Sequence, residues 1–197
     1  MATIIDKQAR LGQQISKIFL AIVLVGGLAQ AAGGIVWLTD ATVVVDDVGL
    51  MQGAGSFHTE RSGDVLLEAT KGQLTFEHST FTERLAVSVP ALVLGITITL
   101  AAWLLIGVVR RTQGGDPFTR QNATALTRAA LIALVGGSLW MLVDALGRGY
   151  LTDQGPWDLA AHSTFSLAPL AAAGVLLVIA GVFRQGVVLR EETEGLV

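Results

Sequence analysis

Four long apolar runs constrain this chain more than any other feature of its sequence. A helix needs roughly 20 mostly apolar residues to cross the ~30 Å hydrocarbon core of a bilayer, and each run is about that long. The runs span residues 18–38, 89–109, 129–147 and 165–183. A helix on the surface of a soluble protein keeps a polar face at helical spacing, whereas these runs are apolar on all sides. The sequence therefore predicts an all-α membrane protein, a four-transmembrane-helix bundle forming a single membrane domain over residues 1–197.

The composition excludes several other classes of protein. Charged residues make up 15% of the chain and hydrophobic residues 52%, whereas soluble domains carry about 25% charged residues. The net charge of −3 argues against direct nucleic-acid binding, which usually requires a basic excess. The chain contains no cysteine, so disulfides, thiolate metal ligands and cysteine nucleophiles are excluded.

Basic residues are distributed unevenly between the two sides of the predicted bundle. Nine lie before the first span, between the second and third, or after the fourth: Lys7, Arg10, Lys17, Arg110, Arg111, Arg120, Arg128, Arg184 and Arg190. Four lie on the opposite side: Arg61, Lys71, Arg84 and Arg148. Because cytoplasmic segments are enriched in Lys and Arg, we expect a multi-pass protein of the inner (cytoplasmic) membrane with both termini in the cytoplasm.

The first span has an alternative interpretation as a cleaved signal peptide. Ala29-Gln30-Ala31 resembles a signal-peptidase site and follows a basic segment and an apolar run. The apolar run continues to Leu38, and this continuation favours an uncleaved first span. The sequence alone leaves the two interpretations open.

The segment between the first two spans, residues 41–88, is long and rich in acidic residues. Val65–Thr70 and Gln73–Glu77 alternate in the pattern of β-strands, with Lys71-Gly72 between them as a turn. We therefore expect a small β-rich extracytoplasmic insertion containing a hairpin. It is interpreted either as a cap that senses a ligand or binds a partner, or as a solvated connection without further function.

Few polar residues lie inside or beside the predicted spans. Asp144 is the only ionisable residue well inside a predicted span. Because a carboxylate in the membrane is energetically costly, such a residue is a functional candidate by default. Arg148 lies one helical turn further on, so the two can form an ion pair at i,i+4 spacing. Gln30 in the first span is a candidate for a hydrogen bond across helices. Proton or ion coupling through Asp144 and a purely structural pair are the two interpretations.

No motif for catalysis or cofactor binding is present in the sequence. His58, His78 and His162 have no ligand spacing, and the glycine-rich nucleotide-binding and nucleophile-elbow patterns are missing. We therefore expect a protein that is not an enzyme, with no catalytic, cofactor-binding or metal-binding residues.

Two segments on the predicted cytoplasmic side are more distinctive. In the first, Asp116 is predicted to cap the third helix with Pro117 at its first position, which places Phe118 and Arg120 at the membrane surface. The second is a tail that continues the fourth helix and carries Arg184, Arg190, Glu191 and Glu192. Each is interpreted either as an ordinary helix end or as a surface that binds a partner.

The motifs in these two segments, with the four-span layout, resemble the DUF2975 family of small bacterial membrane proteins. They are Gly115-Asp116-Pro117-Phe118 with Asn122 and Arg128, and Phe183-Arg184-Gln185-Gly186-Val187 with Leu189-Arg190-Glu191. The resemblance implies a four-span inner-membrane protein, often encoded beside a small helix-turn-helix regulator. It implies no catalytic residue, because no activity is established for the family.

The leading functional hypothesis is a non-enzymatic membrane regulator or sensor. Its inner loop and tail would bind a cytosolic partner, for which a helix-turn-helix transcription factor is one candidate. The alternative is a small oligomeric transporter or channel component that uses Asp144. The lipid bilayer is the expected environment, and the sequence leaves homo-oligomerisation open.

Overall fold

Four long helices make up most of the structure. The computed structural model describes residues 2–40, 42–50, 61–62, 65–66, 71–76, 78–114, 117–153, 159–161 and 166–194. The helices are α1 (Ala2–Thr39), α2 (Phe81–Gly114), α3 (Arg120–Asp153) and α4 (Ala168–Glu194). All four contain stretches long and apolar enough to cross a membrane, at Gln14–Thr39, Phe81–Thr112, Arg120–Asp153 and Ala168–Thr193. The prediction of four apolar helices is confirmed, and together they indicate a multi-pass membrane protein.

The helices extend beyond the predicted spans. α2 and α3 contain 34 residues each, so each is about 51 Å long at 1.5 Å per residue. This exceeds the ~30 Å hydrocarbon core. α2 begins earlier than its apolar run because Thr80 and Glu83 form a capping box, with hydrogen bonds of 2.8 and 3.4 Å between the two residues.

Short strands lie between the helices. They are β1 (Val43–Leu50), β2 (Arg61–Ser62), β3 (Val65–Leu66), β4 (Lys71–Phe76) and β5 (Leu159–Ala161). A three-stranded sheet has the order β4-β1-β5, with antiparallel pairing on both sides of β1, and β2 pairs with β3.

The predicted hairpin between Val65–Thr70 and Gln73–Glu77 is wrong. Lys71 and Gly72 lie inside β4 and pair with β1, so they are not a turn. β4 pairs with β1 and not with the strand that precedes it in sequence, in the register Val43 to Phe76 and Val45 to Leu74. Residues 41, 51–60, 63–64, 67–70 and 77 lie outside the described residues, and the β-rich character of 41–88 as a whole stays a prediction.

The chain divides into two compact units. The first comprises Met1–Ala31, Val93–Leu139 and Ser166–Val197. Its core is formed by Val108, Ala125, Leu126 and Ala180, with Leu105, Leu176 and Phe183 packed against it. Small residues allow the helices of this unit to approach closely: a Cβ at Gly95 would overlap the backbone of Ala31, and a Cβ at Gly136 would overlap Thr97. Such close contacts replace the hydrophobic effect as the main source of helix association in lipid.

The second unit comprises Ala32–Leu92 and Trp140–Phe165. Val43 of β1 and Leu151 of α3 form its buried centre, with Phe76, Ala86 and Val87 packed against them. The sheet is thus attached to the ends of α2 and α3 through side chains of β1 and β4.

Candidate functional site

A buried amide shapes the turn between α2 and α3. Asn122 is 0% exposed, and its Nδ2 donates a hydrogen bond of 3.0 Å to the carbonyl oxygen of Pro117. The Thr119 N–H donates to the same oxygen at 3.1 Å. The Pro117 carbonyl is therefore held in the turn by both donors, and this sets the position of Phe118 between them.

The prediction that Pro117 occupies the first position of the third helix is wrong. α3 begins at Arg120, and the Thr119 hydroxyl accepts a hydrogen bond of 3.3 Å from the Asn122 N–H. Threonine is a favourable N-cap because its side-chain oxygen replaces a missing helical acceptor. Pro117 lies exposed in the turn rather than at the first helical position, and Asp116 lies outside the described residues.

Phe118 connects this turn to α4. Its ring lies against the ring of Phe183, with 5.4 Å between the centroids and 54° between the planes. A tilted arrangement at this separation is favourable for an aromatic pair. Gly186, one turn further along α4, also faces Phe118, and a Cβ at that position would overlap the ring. The ring can therefore lie against the α4 backbone only because residue 186 has no side chain.

An ion pair joins the start of α3 to the end of α4. The Arg120 Nε and Nη2 atoms each donate a hydrogen bond of 3.0 Å to Glu191, one to each carboxylate oxygen. The two side chains are 80% and 51% exposed. The geometry is bidentate and therefore directional, but solvent-exposed pairs contribute little to stability. The pair therefore orients the start of α3 relative to the end of α4 but adds little to the free energy of folding.

These contacts form one structure, which we call the loop–tail joint. It consists of Phe118 and Arg120 on one side and Phe183, Gly186 and Glu191 on α4. The joint connects residues 71 positions apart in the sequence. Three of the predicted site residues, Phe118, Arg120 and Glu191, are thereby brought together.

The other predicted residues of the tail lie around the joint. Arg184, Arg190 and Glu192 are exposed on α4. Charged side chains of both signs are therefore exposed on the part of α4 that follows Phe183.

The predicted intramembrane polar residues lie elsewhere. Arg148 Nε donates a hydrogen bond of 3.0 Å to Asp144 Oδ2, and the two side chains are 33% and 21% exposed. The predicted i,i+4 pair is confirmed. Gln30 lies on an exposed face of α1 and makes no hydrogen bond across helices among the described residues.

Sequence reasoning did not identify three residues as site residues, one in the α2–α3 turn and two in the joint. Asn122, Phe183 and Gly186 appeared only within the motifs of the family resemblance. The signal that could have found Gly186 is its place three residues after an aromatic residue on a helix that continues past its apolar run. The buried role of Asn122 had no local signal.

The described residues contain no group of three or more His, Asp or Glu that could hold a metal ion. His58 and His162 lie outside the described residues. The arrangement consists of an aromatic contact, a buried hydrogen bond and an exposed ion pair.

The chain matches one family of proteins over most of its length. A family model described as "Protein of unknown function (DUF2975)" matches residues 66–197. The match covers more than half of the chain and includes α2, α3, α4 and the whole loop–tail joint. No curated protein and no solved structure matches the chain. With a match of this extent, the chain belongs to the DUF2975 family.

Proposed function

We propose that this protein is a non-enzymatic regulator or sensor of the bacterial inner membrane that binds a cytosolic partner at the loop–tail joint. Both termini and the joint would lie in the cytoplasm. The uneven distribution of Lys and Arg supports this orientation. The partner is a soluble regulatory protein, and a helix-turn-helix transcription factor is the candidate that the family resemblance suggests.

The observation that carries the proposal is the joint itself. It combines the two segments that the sequence singled out, the α2–α3 turn and the α4 tail, into one continuous surface. An aromatic contact at its centre and exposed charges of both signs at its edge match the composition of protein interfaces, where aromatic residues and arginine are enriched.

The position of Phe183 suggests how binding could be regulated. Phe183 packs on the core of the first unit, which includes Val108 of α2, Ala125 of α3 and Ala180 of α4. A shift of α4 along α3 would therefore move Phe183, displace Phe118 and separate Arg120 from Glu191. Packed helix interfaces change between discrete arrangements rather than continuously. The joint would therefore have one conformation that binds the partner and one that does not. Residues 41–88 would form an extracytoplasmic cap that biases this equilibrium.

Site-specific photo-crosslinking in living cells tests the proposal. A photoreactive phenylalanine analogue replaces Glu192, which is exposed beside the joint. The matched control carries the analogue at Val178, which is 69% exposed on the same helix but lies within the apolar run. We expect a discrete adduct with a soluble protein at position 192 and none at 178.

Charge reversal distinguishes binding to the joint from a general attraction to the tail. Arg120→Glu and Glu191→Arg each break the ion pair, and the double variant restores it with opposite polarity. We expect either single reversal to reduce the adduct at 192 and the double variant to recover it in part. An adduct that is equally strong in all variants would remove the joint from the binding surface.

The alternative, transport through Asp144, has a specific test. Because Arg148 pairs with Asp144, the carboxylate is compensated in a way that suits a structural role. Transport predicts that Asp144→Asn abolishes a proton- or ion-dependent flux in liposomes containing the purified protein. The partner hypothesis predicts that neither the natural protein nor the Asp144→Asn variant gives a flux above that of empty liposomes.

A further inference from the structure

A basic cavity lies in the first unit between the end of α2 and the start of α3. Its volume is about 800 Å³. Four arginines line it: Arg110, Arg111, Arg120 and Arg128. No acidic residue of the described chain contributes to its lining.

Three of these arginines are not paired with a carboxylate among the residues that the structure describes. Arg120 is paired with Glu191. Arg110, Arg111 and Arg128 make no ion pair within the part of the chain that the structure describes. Several guanidinium groups without counter-charges around one cavity attract an anion, and guanidinium binds phosphate oxygens with bidentate geometry.

A second, apolar cavity adjoins the first. Its volume is about 330 Å³, and it is lined by Leu100, Trp103, Leu104, Leu131, Ile132 and Arg128. Trp103, Leu104 and Arg128 line both cavities. Arg128 lies eight residues along α3 from Arg120, which is about 12 Å. The arginine-lined cavity therefore continues into an apolar groove, and a charge lies where the two meet.

We propose that the two cavities together bind one anionic phospholipid. The phosphate group lies among Arg110, Arg111 and Arg128, and an acyl chain lies in the groove beside Trp103. Basic pockets between membrane helices bind anionic headgroups in this way. A soluble phosphate would leave the apolar groove uncovered. A zwitterionic lipid would bring its ammonium group among the arginines, which is repulsive. The arginine-lined cavity shares Arg120 with the loop–tail joint, but the proposed phosphate ligands are the other three arginines, and the test contains no partner.

Trp103 supplies a direct readout, because its side chain lines both cavities and is 65% exposed. The full-length protein, with Trp37, Trp140 and Trp157 replaced by Phe, is placed in vesicles of phosphatidylcholine. Either brominated phosphatidylglycerol or brominated phosphatidylcholine is then added at the same mole fraction. Bromine quenches tryptophan fluorescence at short range. We expect the relative affinity for phosphatidylglycerol to exceed that for phosphatidylcholine at least about fivefold. This factor corresponds to the attraction of one arginine to an anionic lipid near a membrane surface.

Variants connect this preference to the arginines. Arg111→Gln/Arg128→Gln should abolish most of the excess quenching, whereas Arg111→Lys/Arg128→Lys should keep most of it. The matched control, Lys17→Gln/Arg184→Gln, removes as much charge from exposed positions outside both cavities and should leave the excess in place. Circular dichroism and size-exclusion profiles confirm that each variant is folded.

Three outcomes would overturn the proposal. Equal quenching by the two lipids would show that the cavities do not select an anionic headgroup. Excess quenching that persists in Arg111→Gln/Arg128→Gln would place the binding site elsewhere. Loss of the excess on adding millimolar glycerol phosphate would show that the arginines prefer a soluble phosphate and that the apolar groove does not hold an acyl chain.

Discussion

At the scale of single residues, Asn122 determines the geometry of the α2–α3 turn. Its amide must donate to the Pro117 carbonyl, so the orientation of the side chain is determined by its partner. Its Oδ1 atom is buried and accepts no hydrogen bond from any described residue. If an oxygen replaced the Nδ2 atom of Asn122, two acceptors, this oxygen and the Pro117 carbonyl oxygen, would face each other without a proton between them. Such a replacement should therefore be unfavourable.

Asn122→Asp tests this dependence with almost no change in shape. We expect it to lower the free energy of unfolding in detergent by about 3 kcal/mol at pH 7, since it buries an uncompensated charge opposite a carbonyl oxygen. Gln121→Glu makes the same chemical change at the exposed neighbouring position and should alter stability by less than about 0.5 kcal/mol. Thermal and denaturant unfolding measure both values. Similar values for the two variants would contradict the assigned role of Asn122.

The contact between Phe118 and Gly186 gives a second prediction at this scale. Gly186→Ala places a methyl group where the Phe118 ring lies, and we expect a loss of about 1–3 kcal/mol from overpacking. Gly181→Ala on the same helix meets no atom within 4 Å and should be neutral or stabilising. In a Phe118→Ala background the effect of Gly186→Ala should largely disappear. A double-mutant cycle measures the difference, and additive effects would show that the two residues do not interact.

At the scale of secondary-structure elements, α2 contains a proline in its interior. Pro90 lies within Phe81–Gly114 and has no N–H to donate to the carbonyl oxygen of Ala86. Gly147 of α3 lies against that same oxygen, and a Cβ there would overlap it. The α3 backbone therefore lies close to the carbonyl oxygen that lacks the Pro90 N–H as a donor, and a side chain at position 147 would prevent this approach.

Gly147→Ala tests the importance of this approach. We expect it to reduce the stability of the protein in detergent by about 1–3 kcal/mol, because α2 and α3 must separate to make room. Gly149→Ala, two residues further on, meets no atom within 4 Å and should leave stability unchanged or increase it through higher helix propensity. Equal thermal midpoints for the two variants would mean that α2 and α3 accommodate the extra methyl group at position 147 without a loss of stability.

At the scale of the whole molecule, the membrane determines the arrangement. Every long helix carries large exposed apolar side chains, among them Ile22, Trp103, Val135 and Val178. In water such a surface would aggregate, whereas in lipid it is the solvated surface. The exposed apolar side chains therefore identify the surface of the helices that contacts lipid.

Cysteine labelling tests the orientation proposed from the basic residues, and the natural chain contains no cysteine to remove. Single cysteines replace His78 before α2 and Glu192 near the end of α4, both of which are exposed. A membrane-impermeant maleimide added to intact spheroplasts should label position 78 and should reach position 192 only after the membrane is permeabilised. The reverse pattern would place the joint outside the cell and exclude a cytosolic partner.

Prediction from sequence succeeded where the physical cause is local. The four apolar helices follow from hydrophobic length alone, and the Asp144–Arg148 pair follows from helical spacing, so both could be predicted. The prediction of Pro117 at the first helical position failed because α3 begins at Arg120, where the Thr119 hydroxyl accepts a hydrogen bond from the Asn122 N–H. The hairpin failed because β4 pairs with β1, and alternation within a segment does not identify which distant strand is its partner.

The sequence by itself determined that the chain forms four membrane-crossing helices, because the transfer of a long apolar segment into lipid outweighs any arrangement in water. Only the tertiary structure decided that the α2–α3 turn and the α4 tail form one surface and that arginines from α2 and α3 line one cavity. Those contacts join residues far apart in the chain, and they depend on how closely the helices approach. That distance is decided by the side chains of both partners together, so no single segment contains the information.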